Sequence, residues 1–541
     1  MEAMEYMRRV FASLLAGVLL NPAMIGAVPQ NQGYGGTATP IKHLVIIFQE
    51  NISFDHYFGT YPHALNLPGE PPFHAAPDTP SVNGYGPALL KHNPNLNPAN
   101  GTGATNPFRL APSQASTADQ DHDYTPEQQA FDTGLMDLFP EFTGAGGTAA
   151  GGTGTPPVFN TNGLVAGYYD GNTVTAFWNY AQHFAMNDNS YDSNFGPSTP
   201  GALNLISGQT NGVSDNVNGT GAIIGDGNGG FTVISDADPL GDSCSTTTGE
   251  TFSMGGQNIG DLLNQNNVSW GFFEGGFDLT ITNPNGTTGC KRSHTSAVTT
   301  ITKNDYVPHH QPFQYYASTA NPTHVRPASV WEVGHNGPAN HQYDTHDFFD
   351  AVSAGNFPAV SFLKAPGYQD GHAGYSDPLD EQTFIVTVIN FLQSTPEWNS
   401  TAVIISYDDS DGWYDHQLGP IVNQSQTAAD MLSGPGTCGT GGAANTLPGI
   451  SAPSAQGRCG YGPRLPYVVI SPYARKNFVD HTTTDQTSTI HFIEDNWLGG
   501  ERIGGGSFDA ISGSIAHMFD FNNCREDGKL FLNPANGEHL Q

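Results

Sequence analysis

Unbroken apolar runs recur along this chain and constrain its fold more than any other feature. They lie at 43–48 (HLVIIF), 268–273 (VSWGFF), 358–364 (PAVSFLK), 401–407 (TAVIISY) and 466–471 (PYVVIS). They lack the polar alternation of a strand with one wet face, so each predicts a strand covered on both sides. Helical patterns alternate with them. Residues 173–185 place Phe177, Tyr180 and Phe184 on one face. Residues 380–393 do the same with Phe384, Val388, Phe391 and Leu392 behind an acidic first turn, and a third helix is expected over 486–497. This alternation predicts an α/β fold with a mainly parallel central sheet and helices on both faces. The Gly/Asn/Thr-rich stretches 144–162, 211–232 and 434–459 read as loop-rich insertions, because strand–helix signals resume on either side. One catalytic-sized domain over 38–541 is expected.

The 541 residues carry 50 Asp+Glu against 17 Lys+Arg, a formal net charge of −33. Such a surface repels phosphate backbones and anionic lipid headgroups, so no nucleic-acid partner is expected. Export is. Arg8 and Arg9 precede an apolar stretch from Val10 to Leu20 and small residues at Gly26 and Ala27. That is the layout of a signal peptide over 1–27, with some likeness to a twin-arginine signal. An apolar run of this length does not span a bilayer, and no later run is long enough, so no integral membrane contact is expected. Five cysteines suit a secreted or periplasmic protein. Cys244 and Cys290 flank one loop-rich segment and Cys438 and Cys459 another, which suggests those two pairs and a single Cys524. Sequence alone does not fix connectivity.

In an open α/β sheet, ligands sit beyond the carboxyl ends of the strands. The first strand runs straight into Gln49, Glu50 and Asn51, and the run 401–407 ends in Asp408 and Asp409, with Asp411, Asp415 and His416 behind. Two buried strands that both end in acids suggest a shared cation, since adjacent carboxylates otherwise raise each other's pKa. A third stretch, Gly196-Pro197-Ser198-Thr199-Pro200, precedes a helix start. Backbone N–H groups near a serine there suit it to attack or hold a phosphate.

QENISFDHYFG (49–59), NDNSYDSNFGPSTP (187–200) and SYDDSDGWYDH (406–416) together resemble the phosphoesterase family. That family contains bacterial phospholipases C and secreted AcpA-type acid phosphatases on an alkaline-phosphatase-like fold. Further blocks at 121–139, 167–189 and 470–497 extend the likeness from about Ile41 to Trp497. The resemblance implies a divalent metal ion, identity unknown, held by Glu50, Asn51, Ser198, Asp408 and Asp409, with Ser198 as nucleophile. It further implies that Asn51, His122, His309, His310 and His372 surround the phosphate and the leaving group.

Some positions depart from the phospholipase pattern. Asp408-Asp409-Ser410-Asp411-Gly412 stands where many members read Asp-Glu-His-Gly-Gly, Pro200-Gly201-Ala202 replaces Pro-Asn-Arg, and Gln486 takes the place of a histidine. About 40 residues follow Trp497, leaving no room for the extra domains of some members. These departures make a secreted phosphomonoesterase of the acid phosphatase type, working through a phosphoserine, the leading expectation. Phospholipase C action on phosphatidylcholine-like lipids is the alternative, and a catalytically silent binding protein the second. Arg464 is expected in a structural ion pair, and Tyr168, Tyr169, Phe177 and Trp178 in the core.

Overall fold

A computed structural model describes residues 36–149, 156–226, 229–423, 425, 427–431, 438 and 458–540; the expected signal peptide lies outside them. The apolar runs form the centre of an eight-stranded sheet. Its strands are β1 (His43–Gln49), β2 (Ala185–Asn187), β3 (Trp270–Glu274), β4 (Gln342–Asp344), β5 (Val360–Lys364), β6 (Thr401–Tyr407), β7 (Tyr467–Ile470) and β8 (Phe478–Asp480), in the spatial order β4-β3-β5-β1-β6-β7-β2-β8. All neighbours pair in parallel except at β7, which is antiparallel to both β6 and β2. Every residue of β3, β5 and β6 is buried, so both faces are covered. Continuous apolar runs produce this, where alternation would leave one face wet.

Helices α1 (Phe54–Phe58), α2 (Tyr124–Phe131), α3 (Thr175–His183), α4 (Ser198–Ser207), α5 (Pro378–Gln393) and α6 (Ser488–Trp497) carry the expected apolar faces or frame the sheet's carboxyl edge. In α5 the Asp377 side chain caps the first turn by accepting from Leu379 and Asp380. Asp380 and Glu381 sit favourably in the same positive end of the helix.

The stretch 211–232 departs from the loop expectation. Val213–Val217 pairs antiparallel with Thr251–Met254, and Ile223–Gly225 pairs with Phe231–Val233. The β-branched residues in it form short ladders despite the glycines around them. Of 434–459, only Cys438, Arg458 and Cys459 are described. Two disulfides join Cys244 to Cys290 and Cys438 to Cys459, with Cα separations of 5.2 and 5.7 Å, and Cys524 is free and exposed. These are the pairs the flanking segments suggested, and they suit an oxidising compartment. Among the described residues no helix is long and apolar enough to cross a membrane.

Candidate active site

The sheet register builds the site. β1 and β6 are adjacent and in step, Gln49 opposite Tyr407, so Glu50 and Asp408 leave neighbouring strands side by side. The backbone locks them there: Asp408 N–H donates to Gln49 O (3.1 Å), Ile52 N–H to Asp409 O (2.9 Å) and Glu50 N–H to Asp370 O (2.9 Å). Phe54, Tyr57 and Phe58 of α1 are fully buried behind this turn. Tyr57 donates to Glu381 of α5 at 2.8 Å.

Helix α4 brings in Ser198 at its first turn. Ser198 Oγ lies 3.1 Å from both Glu50 Oε2 and Asp409 Oδ2, and the residue is 1% exposed. The approach of α4 depends on Gly201, where a Cβ would stand 1.9 Å from Asp408 O. Glu127 of α2 ties both sides together. It accepts from Gly196 N (3.0 Å), ahead of the serine, and from Ser410 Oγ (2.6 Å), behind the acid pair.

Asn51 stands in left-handed backbone, φ 59°, which asparagine tolerates better than most residues. Its amide decides the character of the centre. With nitrogen inward, it donates to Glu50 Oε2 (2.6 Å) and Asp408 Oδ1 (3.2 Å). With oxygen inward, it adds a third oxygen beside theirs and its nitrogen meets His122 Nε2 at 3.2 Å. A hard cation selects the second arrangement, in which the Asn51 oxygen joins those of Glu50 and Asp408, with the Ser198 hydroxyl bridging Glu50 and Asp409. The donor set therefore fits a divalent ion such as the phosphoesterase resemblance implies.

Electrostatics agree. Burial pushes the Asp408 carboxyl well above its usual range; Glu50 adds to this and Lys364 opposes it. Asp409 rises to about 7, through burial and Glu50 against the pull of His122. These carboxylates need a counter-charge to ionise together. For Glu50 burial acts upward, but His310 and Lys364 outweigh it and hold the group well below the usual range. Burial also drives the His310 imidazole well down. Glu50 opposes that fall in His310, and Lys364 adds its own positive charge beside both.

All four histidines converge. His310 Nδ1 is 3.2 Å from Glu50 Oε1, and its ring lies 4.5 Å from that of His309, centroid to centroid. His309 Nδ1 faces Asp238 at 3.5 Å. Despite burial, its pKa is raised by Asp238 and Asp236. The rings of His122 and His372 are 6.0 Å apart. Burial disfavours charge on His122, yet Asp409, Asp411 and Asp119 outweigh it and hold its pKa well above the usual histidine range. Burial lowers the pKa of His372.

Lys364 at the end of β5 was not foreseen. Its side chain is 1% exposed, ion-paired with Glu50 Oε1 and 3.5 Å from Asp408 Oδ2. Burial opposes its charge, but Asp408 and Glu50 outweigh burial and raise its pKa. The readable signal was a lysine closing an otherwise apolar strand. Glu127 and Asp370 were also missed, and their local sequences carry no sign of where they fold. Asp370 is fully buried, with its pKa raised to about 8 by burial and by Glu50.

Among the described residues, three groups bring His, Cys or acid ligand atoms within 4.8 Å of one another. Asp119–His122–His372 belongs to this site. Asp242–Cys244–His324 includes a disulfide sulfur. In Asp55–Asp415–His416 the carboxylates are held by Arg464, 3.0 Å from both, the structural ion pair expected of that residue. Tyr169, Phe177 and Trp178 are core residues, and Tyr168 packs against the core from a half-buried position.

The Phosphoesterase family profile matches residues 41–498. The chain belongs to the Phosphoesterase family. Its eight-stranded, mainly parallel sheet is consistent with the alkaline-phosphatase-like fold expected from the motifs. Among relatives of this phosphoesterase, the "Non-hemolytic phospholipase C" of Pseudomonas aeruginosa is 25% identical over 544 residues, covering 95% of this chain and 64% of its own length. "Phospholipase C A" of Mycobacterium tuberculosis is 27% identical over 471 residues, 85% of this chain and 73% of its own. "Phospholipase C B" of the same organism is 24% identical over 510 residues, 90% and 80% respectively. The chain thus spans a little under two thirds of the Pseudomonas relative.

Proposed function

We propose that this phosphoesterase is a metal-dependent phosphoric ester hydrolase of the phospholipase C type, cleaving phosphodiesters of phosphatidylcholine-like lipids through Ser198. The observation that carries the reaction is the position of Ser198 Oγ, 3.1 Å from two carboxylates at the start of a helix. The substrate class is supported by the names of the relatives, which favour it over the monoesterase expected from the motif departures.

A divalent ion held by Glu50, Asn51, Ser198, Asp408 and Asp409 would withdraw charge from the phosphate oxygens and acidify the serine hydroxyl. Ser198 Oγ attacks phosphorus in line with the leaving oxygen, its proton passing to Glu50 Oε2 or Asp409 Oδ2. The phosphorus–oxygen bond to the glycerol breaks as His309, its pKa raised despite burial by Asp238 and Asp236, protonates the departing alkoxide. The other histidines of the site, His310 and His372, meet the phosphate oxygens as charge builds on them. Water then attacks phosphorus as its proton passes to the now neutral His309; the bond from phosphorus to the Ser198 oxygen breaks, that oxygen recovers its proton from Glu50 or Asp409, and the phosphorylated headgroup leaves.

One feature supports a second reading, a phosphomonoesterase. The Tyr375 ring, stacked on His372 at 4.3 Å, already carries Lys303 Nζ 3.6 Å from its centroid. That aromatic face is closed to a choline cation and suits an anionic substrate. Hydrolysis of p-nitrophenyl phosphorylcholine against p-nitrophenyl phosphate, with diacylglycerol release from phosphatidylcholine vesicles, separates the two. Preference for the diester and diacylglycerol release are expected. Turnover of the monoester alone, above all at acid pH, would replace the first reading with the second.

A further inference from the structure

Lys364 raises a question that the family chemistry does not answer. An ammonium buried among apolar strand residues is costly to desolvate and persists only where something requires it. Its partners are two of the carboxylates assigned above to the ion, and each is divided between two directions. Glu50 turns Oε1 to Lys364 and to His310 Nδ1 (3.2 Å), and Oε2 to Ser198 Oγ (3.1 Å) and the Asn51 amide (2.6 Å). Asp408 turns Oδ2 to Lys364 (3.5 Å). Its Oδ1 faces the Asn51 amide (3.2 Å) and accepts from the backbone N–H groups of Asn51 (3.0 Å) and Asp409 (2.8 Å). One oxygen of Glu50 thus faces Ser198 and one of Asp408 faces the Asn51 amide, and the other oxygen of each is covered by the ammonium.

Two-metal phosphoesterase sites hold their ions about 3.5–4 Å apart. Carboxylates that bridge such a pair need both oxygens. Here the second oxygens of Glu50 and Asp408 are taken. We propose that Lys364 is a resident cation of the centre, standing where a second divalent ion would bind and limiting the site to one. The inference rests on the metal-centre reading above. It follows that Glu50 and Asp408 stay in place when the ion is removed, because part of their counter-charge is covalently part of the chain.

The test is metal counting on the whole protein after chelation, reloading with Mn²⁺ and removal of excess ion. Elemental analysis gives the stoichiometry, and electron paramagnetic resonance shows whether the ions are isolated or exchange-coupled. Wild type is expected to hold one equivalent with an isolated-ion signal, Lys364→Arg likewise, and Lys364→Met to take up a second equivalent with a coupled signal. Two coupled ions in wild type would overturn the role of Lys364, and that measurement needs no variant. A folded Lys364→Met protein that still binds one ion with unchanged affinity would overturn it as well. Failure of wild type to bind any divalent ion would instead overturn the metal-centre reading.

Discussion

Gly201 offers a sharp test of how the site is assembled. It lies one turn into α4, three residues after Ser198, where the helix meets the backbone of Asp408. A Cβ there would stand 1.9 Å from Asp408 O, 2.6 Å from Asp408 C and 2.9 Å from Gln486 Nε2. The nearest atom is backbone, held in turn by Gln486, whose Nε2 donates to Asp408 O at 2.5 Å, so no flexible side chain can give way. In Gly201→Ala the helix and the acid pair must separate by about 1 Å, since interiors this dense have no slack. Overpacking of this kind costs about 1–3 kcal/mol. The displacement is felt at Ser198, and a misplacement of about 1 Å costs on the order of 100-fold in rate. The assay is kcat/KM for p-nitrophenyl ester hydrolysis together with the melting temperature. The control is Gly225→Ala, where a Cβ meets nothing within 4 Å. Both activity and melting temperature are expected to fall in the first variant and to hold in the second. A Gly201→Ala enzyme with wild-type kcat/KM would refute the claim that α4 and the acid pair form one closely fitted unit.

Other predictions address separate parts of the account. Asp409→Asn should weaken divalent-ion binding by tenfold or more in a calorimetric titration while the fold persists; unchanged affinity would remove Asp409 from the ligand set. Removing Arg464 by Arg464→Met leaves Asp415 buried without its cation and Asp55 with His416 alone, a loss of about 3–5 kcal/mol, read by urea unfolding; a neutral effect would contradict the ion-pair reading. The Cys244→Ser/Cys290→Ser double variant frees a loop with a sequence separation of 46 and should lose about 4 kcal/mol, checked in the same way. Burial raises Asp485 to about 6 against hydrogen bonds from Ser193 and Thr487. Because the folded pKa lies above the unfolded one, this stabilisation is complete below about pH 4 and lost as pH rises through 6. It amounts to about 3 kcal/mol for a fully buried group. Melting temperatures at pH 5 and 7.5 should therefore differ less in Asp485→Asn than in wild type, and an equal or larger difference would count against the shift.

The central sheet was legible because β1, β3, β5, β6 and β7 are continuous apolar runs. β2, β4 and β8 were not, since three residues carry no period. The oxygen-rich centre was legible at Glu50, Ser198, Asp408 and Asp409, where acids or a serine stand at the ends of clear elements. The histidines were found through the resemblance, because a histidine in a loop has no local signature. Lys364 escaped because its meaning is spatial. It closes a strand that, read alone, could as well end at the surface, and only the sheet order β5-β1-β6 brings it within reach of both Glu50 and Asp408. The strands within 211–232 were hidden by their glycine and asparagine content, which outweighs a few β-branched residues in any composition argument.

The central claim is that Ser198 attacks phosphorus and carries the phosphoryl group between the two halves of the reaction. Acid quenching during turnover of p-nitrophenyl phosphorylcholine, followed by peptide mass spectrometry, tests it directly, with p-nitrophenyl phosphate run in parallel. The account predicts a covalent phosphoryl adduct on Ser198, within the peptide containing Gly196-Pro197-Ser198-Thr199-Pro200, and none in Ser198→Ala, which should also be inactive. An adduct on another residue, or undiminished hydrolysis by Ser198→Ala, would contradict it.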